Sequence, residues 1–137
     1  MIPVELSKIV IRDNIEQQYI YVKEIGGLRG FPIIIGSFEA AEINRKVTET
    51  STLRPMTHDL IHLILKGLGV KLTKIVVNDL RDGTFYANLY LEQDEREVWV
   101  DCRPSDAIAL ATAQAAPIFV EDHVMDQVGK MEGEEDF

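Results

Sequence analysis

Two runs in this chain, Arg54-Pro55-Met56-Thr57-His58-Asp59 and Arg103-Pro104-Ser105-Asp106, carry the residue types that could do chemistry. Each is an Arg-Pro pair, a hydroxyl residue and an aspartate, opening directly into an apolar stretch. Proline with a following Thr or Ser and an early acidic residue marks a helix start. An arginine and an aspartate therefore stand at two helix N-termini, whose unpaired N–H groups and partial positive charge attract anions such as phosphate. Arg54 and Arg103 suit bidentate clamping of a phosphate. His58 is the residue of these runs that titrates near neutrality, as a general acid or base must. Asp59 and Asp106, with Asp101 at the end of the preceding strand, are candidate ligands for Mg²⁺ or Mn²⁺. The plainer alternative is that each carboxylate caps its own helix, worth about 0.3–1 kcal/mol, and that the arginines pair with acidic neighbours.

His58 and His62 stand four residues apart, on one helix face, in the spacing of a zinc-protease motif with Asp59 in place of its Glu. Against a zinc site stand the shorter Asp, the lack of a third ligand nearby, and Lys66 one turn further along the stripe. A solvated face of His58, His62 and Lys66 is the preferred reading. Gly26 to Gly30 is no P-loop, because no Gly-Lys-Ser/Thr follows; Arg29 at its tip is open to a polyanion. Gly36-Ser37 reads as a helix start, Trp99, Tyr86 and Tyr90 as cross-strand packing, and Cys102 as a small buried residue.

The elements that position these residues follow from periodicity. Val4–Arg12, Gln18–Ile25 and Phe31–Ile35 read as strands. A helix begins at Gly36-Ser37, with Ala40, Ile43 and Val47 at helical spacing. A strongly apolar helix covers about Thr57–Leu68, closed by Gly67 and Gly69. Val70–Leu80 is a strand, and Asp82-Gly83 turns it into a second, in which Phe85, Ala87, Leu89 and Leu91 alternate with polar or aromatic residues. Val98–Cys102 is another strand, followed by an Ala-rich helix to about Ala115, a short strand Pro117–Val120 and a short helix Asp122–Val128. Hairpins interspersed with helices indicate an α+β class: one compact domain, a largely antiparallel or mixed sheet, and three main helices. Residues 1–120 form that domain, and 121–137 a short helix and acidic tail.

Bulk properties narrow the function classes. The chain of 137 residues is long enough for a real core, and one cysteine excludes an intrachain disulfide framework. Neither a signal peptide nor a membrane span is expected, so a cytoplasmic location is. The net charge is −9, but from Glu121 onward seven acidic residues face Lys130 alone, leaving −3 on the body. That body lacks a dedicated basic face, so a polyanion would be held by a few focused cations or by metal ions.

Gly36-Ser37-Phe38-Glu39-Ala40, the first Arg-Pro run, Asp82-Gly83-Thr84-Phe85-Tyr86-Ala87, Arg103-Pro104-Ser105-Asp106-Ala107-Ile108-Ala109-Leu110 and Ala116-Pro117-Ile118-Phe119-Val120 occur in this order. Together they resemble the bifunctional nuclease domain family. The resemblance implies a compact α+β domain that cleaves DNA and RNA, with Arg54, His58, Asp59, Arg103 and Asp106 as candidate site residues. The expected function is a nuclease with little sequence preference and nucleic acid as its partner. The rival is a non-enzymatic interaction or regulatory module that forms a homo-oligomer. The nuclease reading requires the two Arg-Pro helix starts to share one cleft.

Overall fold

The computed structural model describes residues 1–12 and 17–131. In chain order its elements are β1 (Ile2–Val10), β2 (Gln17–Glu24), β3 (Arg29–Gly36), α1 (Ser37–Val47), α2 (Thr57–Gly67), β4 (Lys71–Arg81), β5 (Thr84–Gln93), β6 (Arg96–Cys102), α3 (Pro104–Gln114), β7 (Ile118–Val120), α4 (Asp122–Val128) and β8 (Lys130–Met131). The strands form one sheet in the order β6-β5-β4-β7-β1-β2-β3-β8. All pairs are antiparallel except β4 with β7. The α+β class and single mixed sheet expected from the sequence are what the chain adopts.

Alternation decides which face each strand gives to the helices. Ile20 and Val22 on β2, Phe31, Ile33 and Ile35 on β3, Ile75 and Val77 on β4, and Ala87 and Leu89 on β5 are buried in one core. Asp82 and Gly83 both take positive φ, 50° and 78°, as a two-residue hairpin of the primed type requires. The opposite face carries Tyr86 and Tyr90, under Arg81 and Lys74 respectively. Helix α3 lies on the buried face with Ala107 to Ala111 fully enclosed, and Pro104 sits in its first turn. Small side chains here let α3 sit close to both sheet and α1.

Three local outcomes differ from the sequence expectation. The first strand begins at Ile2, because Ile2 to Val4 pair with Val120 to Ile118. Lys130 and Met131, expected in the tail, add a two-residue strand against Gly30 and Arg29; the rest of the expected tail, 132–137, lies outside the described residues. The largest difference concerns α2, whose expected polar stripe turns partly inward: His62 is half-buried and only Lys66 of the stripe stays exposed. His58 is 3% exposed and is the one buried residue of the helix, while Leu60, Leu63 and Ile64 point outward. Charged partners on α1 and α3 draw the histidine inward and roll the apolar residues out.

Candidate functional site

The site grows from the first turns of α2 and α3 and one face of α1. Arg103 is the N-cap residue of α3 and keeps an extended backbone (φ −74°, ψ 144°), so its side chain leaves the helix sideways. Asp106, three residues on, accepts from Arg103 twice: Nε to Oδ2 at 2.8 Å and a terminal nitrogen to Oδ1 at 3.1 Å. Arg103 also reaches Glu39 Oε1 of α1 at 3.2 Å. From α2, His58 Nε2 lies 2.9 Å from Asp106 Oδ1. On its other side Nδ1 stands 3.7 Å from Glu42 Oε2, beyond hydrogen-bond reach but within ion-pair distance. Glu42, itself enclosed, is held by Arg45 one turn along α1.

These contacts make a line of alternating charge across three helices: Arg45, Glu42, His58, Asp106, Arg103, Glu39. One end is buried and the other is open, since the Arg103 side chain is 64% exposed. With His58 neutral the line carries one net negative charge; with His58 protonated it is balanced. Burial pushes the Asp106 carboxyl up, but hydrogen bonds from Arg103 and His58 outweigh it and hold it below the ordinary carboxylate range. The same pairing with Asp106 raises Arg103 further. Asp106 Oδ1 already has two donors and Oδ2 one, leaving an acceptor position on Oδ2 for a water or substrate hydroxyl.

Arg103 stands on the rim of a cleft of about 600 Å³ together with Gly36, Pro104 and Ser105, and its apolar wall is Pro32, Ile34 and Phe85. Both α1 and α3 begin at this cleft, with Glu39 and Asp106 occupying their first turns. A second cavity, about 660 Å³, lies on the other side of α2 and is lined by Arg45, Lys46, Thr50, Asp59, His62 and Thr112 among others.

The sequence candidates separate accordingly. His58, Asp106 and Arg103 are brought together. Asp59 points instead to the second cavity, where it is paired with Lys46 and accepts from the Met56 N–H at 2.8 Å. Its carboxyl is held below the ordinary range chiefly by the Lys46 hydrogen bond. Arg54 is exposed on the connector before α2. Among the described residues its side chain makes no ion pair; its carbonyl accepts from Thr52 Oγ1 at 2.7 Å. Asp101 is exposed on β6 opposite Asn88. The two helix starts thus meet through His58 and Asp106, while Arg54 and Asp59 look elsewhere. Among the described residues no group of three His, Cys, Asp or Glu is placed to hold a metal. His123, the remaining histidine, faces Asp79 at 3.5 Å.

Glu39 and Glu42 were not singled out by sequence reasoning. The signal was an acidic pair at i and i+3, each member directly preceding an apolar position, Ala40 and Ile43, on a helix that must bury one face. Cys102 is a different outcome of the same neighbourhood: burial, then the charges of Asp106 and Asp101, push its thiol up to about 12.

Comparison with known proteins places these residues in one matched block. The model of the bifunctional nuclease domain matches residues 20–132, a span that includes every member of the charged line. Two relatives from two strains of Mycobacterium tuberculosis, both named as uncharacterized proteins, are 40% identical over 113 residues, covering 82% of this chain and 67% of theirs.

Proposed function

Because the chain belongs to the bifunctional nuclease domain family, we propose that it is a nuclease, a phosphodiesterase hydrolysing DNA and RNA with little sequence preference. One observation carries the reading: an exposed arginine at a cleft, tied through a single carboxylate to an enclosed imidazole. Arg103 neutralises the phosphate and the charge that grows on it during attack. The apolar wall of Pro32, Ile34 and Phe85 offers a surface against which a base stacks without being identified. Asp106 orients Arg103 and takes the proton of an attacking water at Oδ2. The new bond joins the water oxygen to phosphorus, the ester P–O bond breaks, and the leaving oxygen takes a proton from solvent. His58 is too enclosed to touch substrate. It donates Nε2–H to Asp106 Oδ1 and so positions the carboxylate that takes the proton, while its Nδ1 side faces Glu42 Oε2 at 3.7 Å. Arg54 and Asp59 enter as outlying contributors, Arg54 as a second phosphate contact along the strand. Mg²⁺ or Mn²⁺ bound at Asp59, Asp101 or Asp106 belongs to the same proposal, with no step assigned to it.

The interaction or regulatory module is favoured by one observation of its own. With His58 protonated, every charge of the line is compensated internally, as in a structural ion-pair network. The two readings part in one assay: purified protein with labelled single- and double-stranded DNA and RNA, in Mg²⁺, Mn²⁺ or chelator, beside Arg103→Ala and Asp106→Asn. The nuclease reading expects cleavage lost in both variants while both stay folded. Cleavage undiminished in both, or absent from the parent protein in every condition, would overturn it.

A further inference from the structure

The sheet curls until its two ends nearly meet. Strands β3 and β5 stand five places apart in the sheet order, yet Phe31 and Phe85 stack across the gap, with ring centroids 5.3 Å apart and planes 20° off parallel. Among the described residues no ladder closes this seam. Strand β8 pairs only with Arg29 and Gly30, so Phe31 to Gly36 present an open strand edge beside the β4–β5 hairpin. Two cavities lie along the seam. One is the cleft of about 600 Å³ that Arg103 borders. The other, the seam cavity of about 580 Å³, is lined by Tyr21, Gly30, Phe31, Leu80, Gln127 and Lys130 among others, where the end of α4 reaches the seam. Pro32, Gly83 and Phe85 belong to the walls of both, so the two spaces adjoin.

From this geometry we infer that the seam cavity is a nucleobase subsite, which takes the base of an unpaired nucleotide next to the phosphate held by Arg103. The choice of nucleic acid as ligand rests on the nuclease reading; the place rests on the seam itself. A phosphate at Arg103 puts the neighbouring nucleotide one residue's width from this cavity, since Phe85 walls both spaces. The volume falls within the roughly 300–1,000 Å³ of small-molecule sites and admits a nucleoside. Aromatic rings supply the main attraction. Phe31 is 1% exposed and fixed, Phe85 is half-buried, and a planar base extends their stack by one ring. Tyr21 is 3% exposed, and a Cβ on Gly30 would stand 2.7 Å from its hydroxyl, so glycine is what admits that hydroxyl against the strand. A hydroxyl donates or accepts, and the Gln127 amide at the mouth does both, so the pair suits any base and matches low sequence preference. Lys130, exposed at this mouth, puts a cation at the opposite end of the joined space from Arg103. A base stacked and paired in a duplex cannot enter, so the strand that fits is single.

Binding is read apart from cleavage, by fluorescence anisotropy of a labelled DNA of about ten nucleotides with the full chain, in chelator and again in Ca²⁺. The single strand binds about tenfold tighter than a hairpin duplex, and about tenfold tighter than an abasic phosphodiester of the same length, as one stacked base is worth. Tyr21→Phe and Gln127→Ala each weaken the single strand about threefold and leave the abasic strand unchanged. Trp99→Ala, exposed on β6, changes neither. Ultraviolet cross-linking of an iodouracil strand, mapped by peptide mass spectrometry, marks Tyr21, Phe31 or Phe85, a readout that survives if a variant folds badly. Equal affinity for the single and abasic strands, or cross-links confined to Tyr86, Tyr90 and Trp99 on the other face of the sheet, would overturn the subsite and leave the nuclease reading standing. Base-dependent binding with cross-links in the cavity, in a protein that cleaves nothing, would do the reverse. A chain that binds no nucleic acid in either condition would overturn both.

Discussion

Replacing His58 by Ala tests the charged line directly, and its cost is built from the structure. The imidazole leaves a hole on the order of 60 Å³ in a site 3% exposed, worth about 1.5 kcal/mol at roughly 24 cal/mol per Å³. Asp106 loses its 2.9 Å partner but is partly open, so water re-solvates it at a cost of about 1 kcal/mol. Glu42 Oε2 makes no hydrogen bond to the imidazole in the parent, standing 3.7 Å from Nδ1, so it adds little to the cost. The total is about 2.5 kcal/mol, or a melting temperature lower by about 9 °C for a chain of this length. Urea unfolding followed by far-ultraviolet circular dichroism measures it; Trp99 is too exposed to report through fluorescence. His58→Gln keeps volume and a donor and recovers about half. Arg54→Ala, on the exposed connector, stays within about 0.5 kcal/mol of the parent. If His58→Ala costs under about 1 kcal/mol, no tighter than Arg54→Ala, the imidazole is not buried between two carboxylates and the reasoning fails.

Three further outcomes follow from the same geometry. Arg103→Ala weakens nucleic-acid binding and lowers the slope of log affinity against log salt by about 1; Arg103→Lys, which cannot contact Asp106 and phosphate as a planar fork, recovers only part of the affinity, and filter binding across salt concentrations reads both. Cys102, with its thiol pushed up to about 12, reacts slowly with a disulfide reagent near pH 8 in the native protein and fast once unfolded in urea; rapid native reaction would contradict the burial. Asp106, Asp59 and Glu24 are all held below their ordinary values when folded, so their stabilisation is complete above about pH 5 and is lost as pH falls through the lower folded values; acid titration shows that loss, and it is shallower in Asp106→Asn.

What could be read from the sequence is what local stereochemistry controls. Pro104 and Asp106 announce the start of α3 because proline and an early carboxylate belong at a helix N-terminus wherever the helix lies. Asp82-Gly83 announces its hairpin because only residues tolerant of positive φ make that turn. Partner choice is different. Nothing local to Asp106 says that it turns to His58, 48 residues away, while Asp59, in an equivalent place, turns to Lys46. Both carboxylates began as equal candidates, and only the packing of α1 between the two helix starts separates them. Glu42 escaped notice for the same reason: a charged residue on a core-facing arc reads as an error in periodicity until its partners are in place. The orientation of α2 is the extreme case. Amphipathic logic puts leucines inward and histidines outward, and here neighbouring carboxylates reverse it.

That reversal ties α2 to the charged site. An isolated helix of eleven residues is marginal in water, so α2 depends on what holds its two sides. On the inner side Ile61 and Leu65 are only partly buried, and His58 is the one enclosed anchor. Burying a histidine among carboxylates contributes less than burying a leucine would, because desolvation consumes much of the attraction. The outer leucines, about half exposed, add little to holding α2, so the contacts of its first turn, His58 with Asp106 and Asp59 with Lys46, carry much of what fixes the helix.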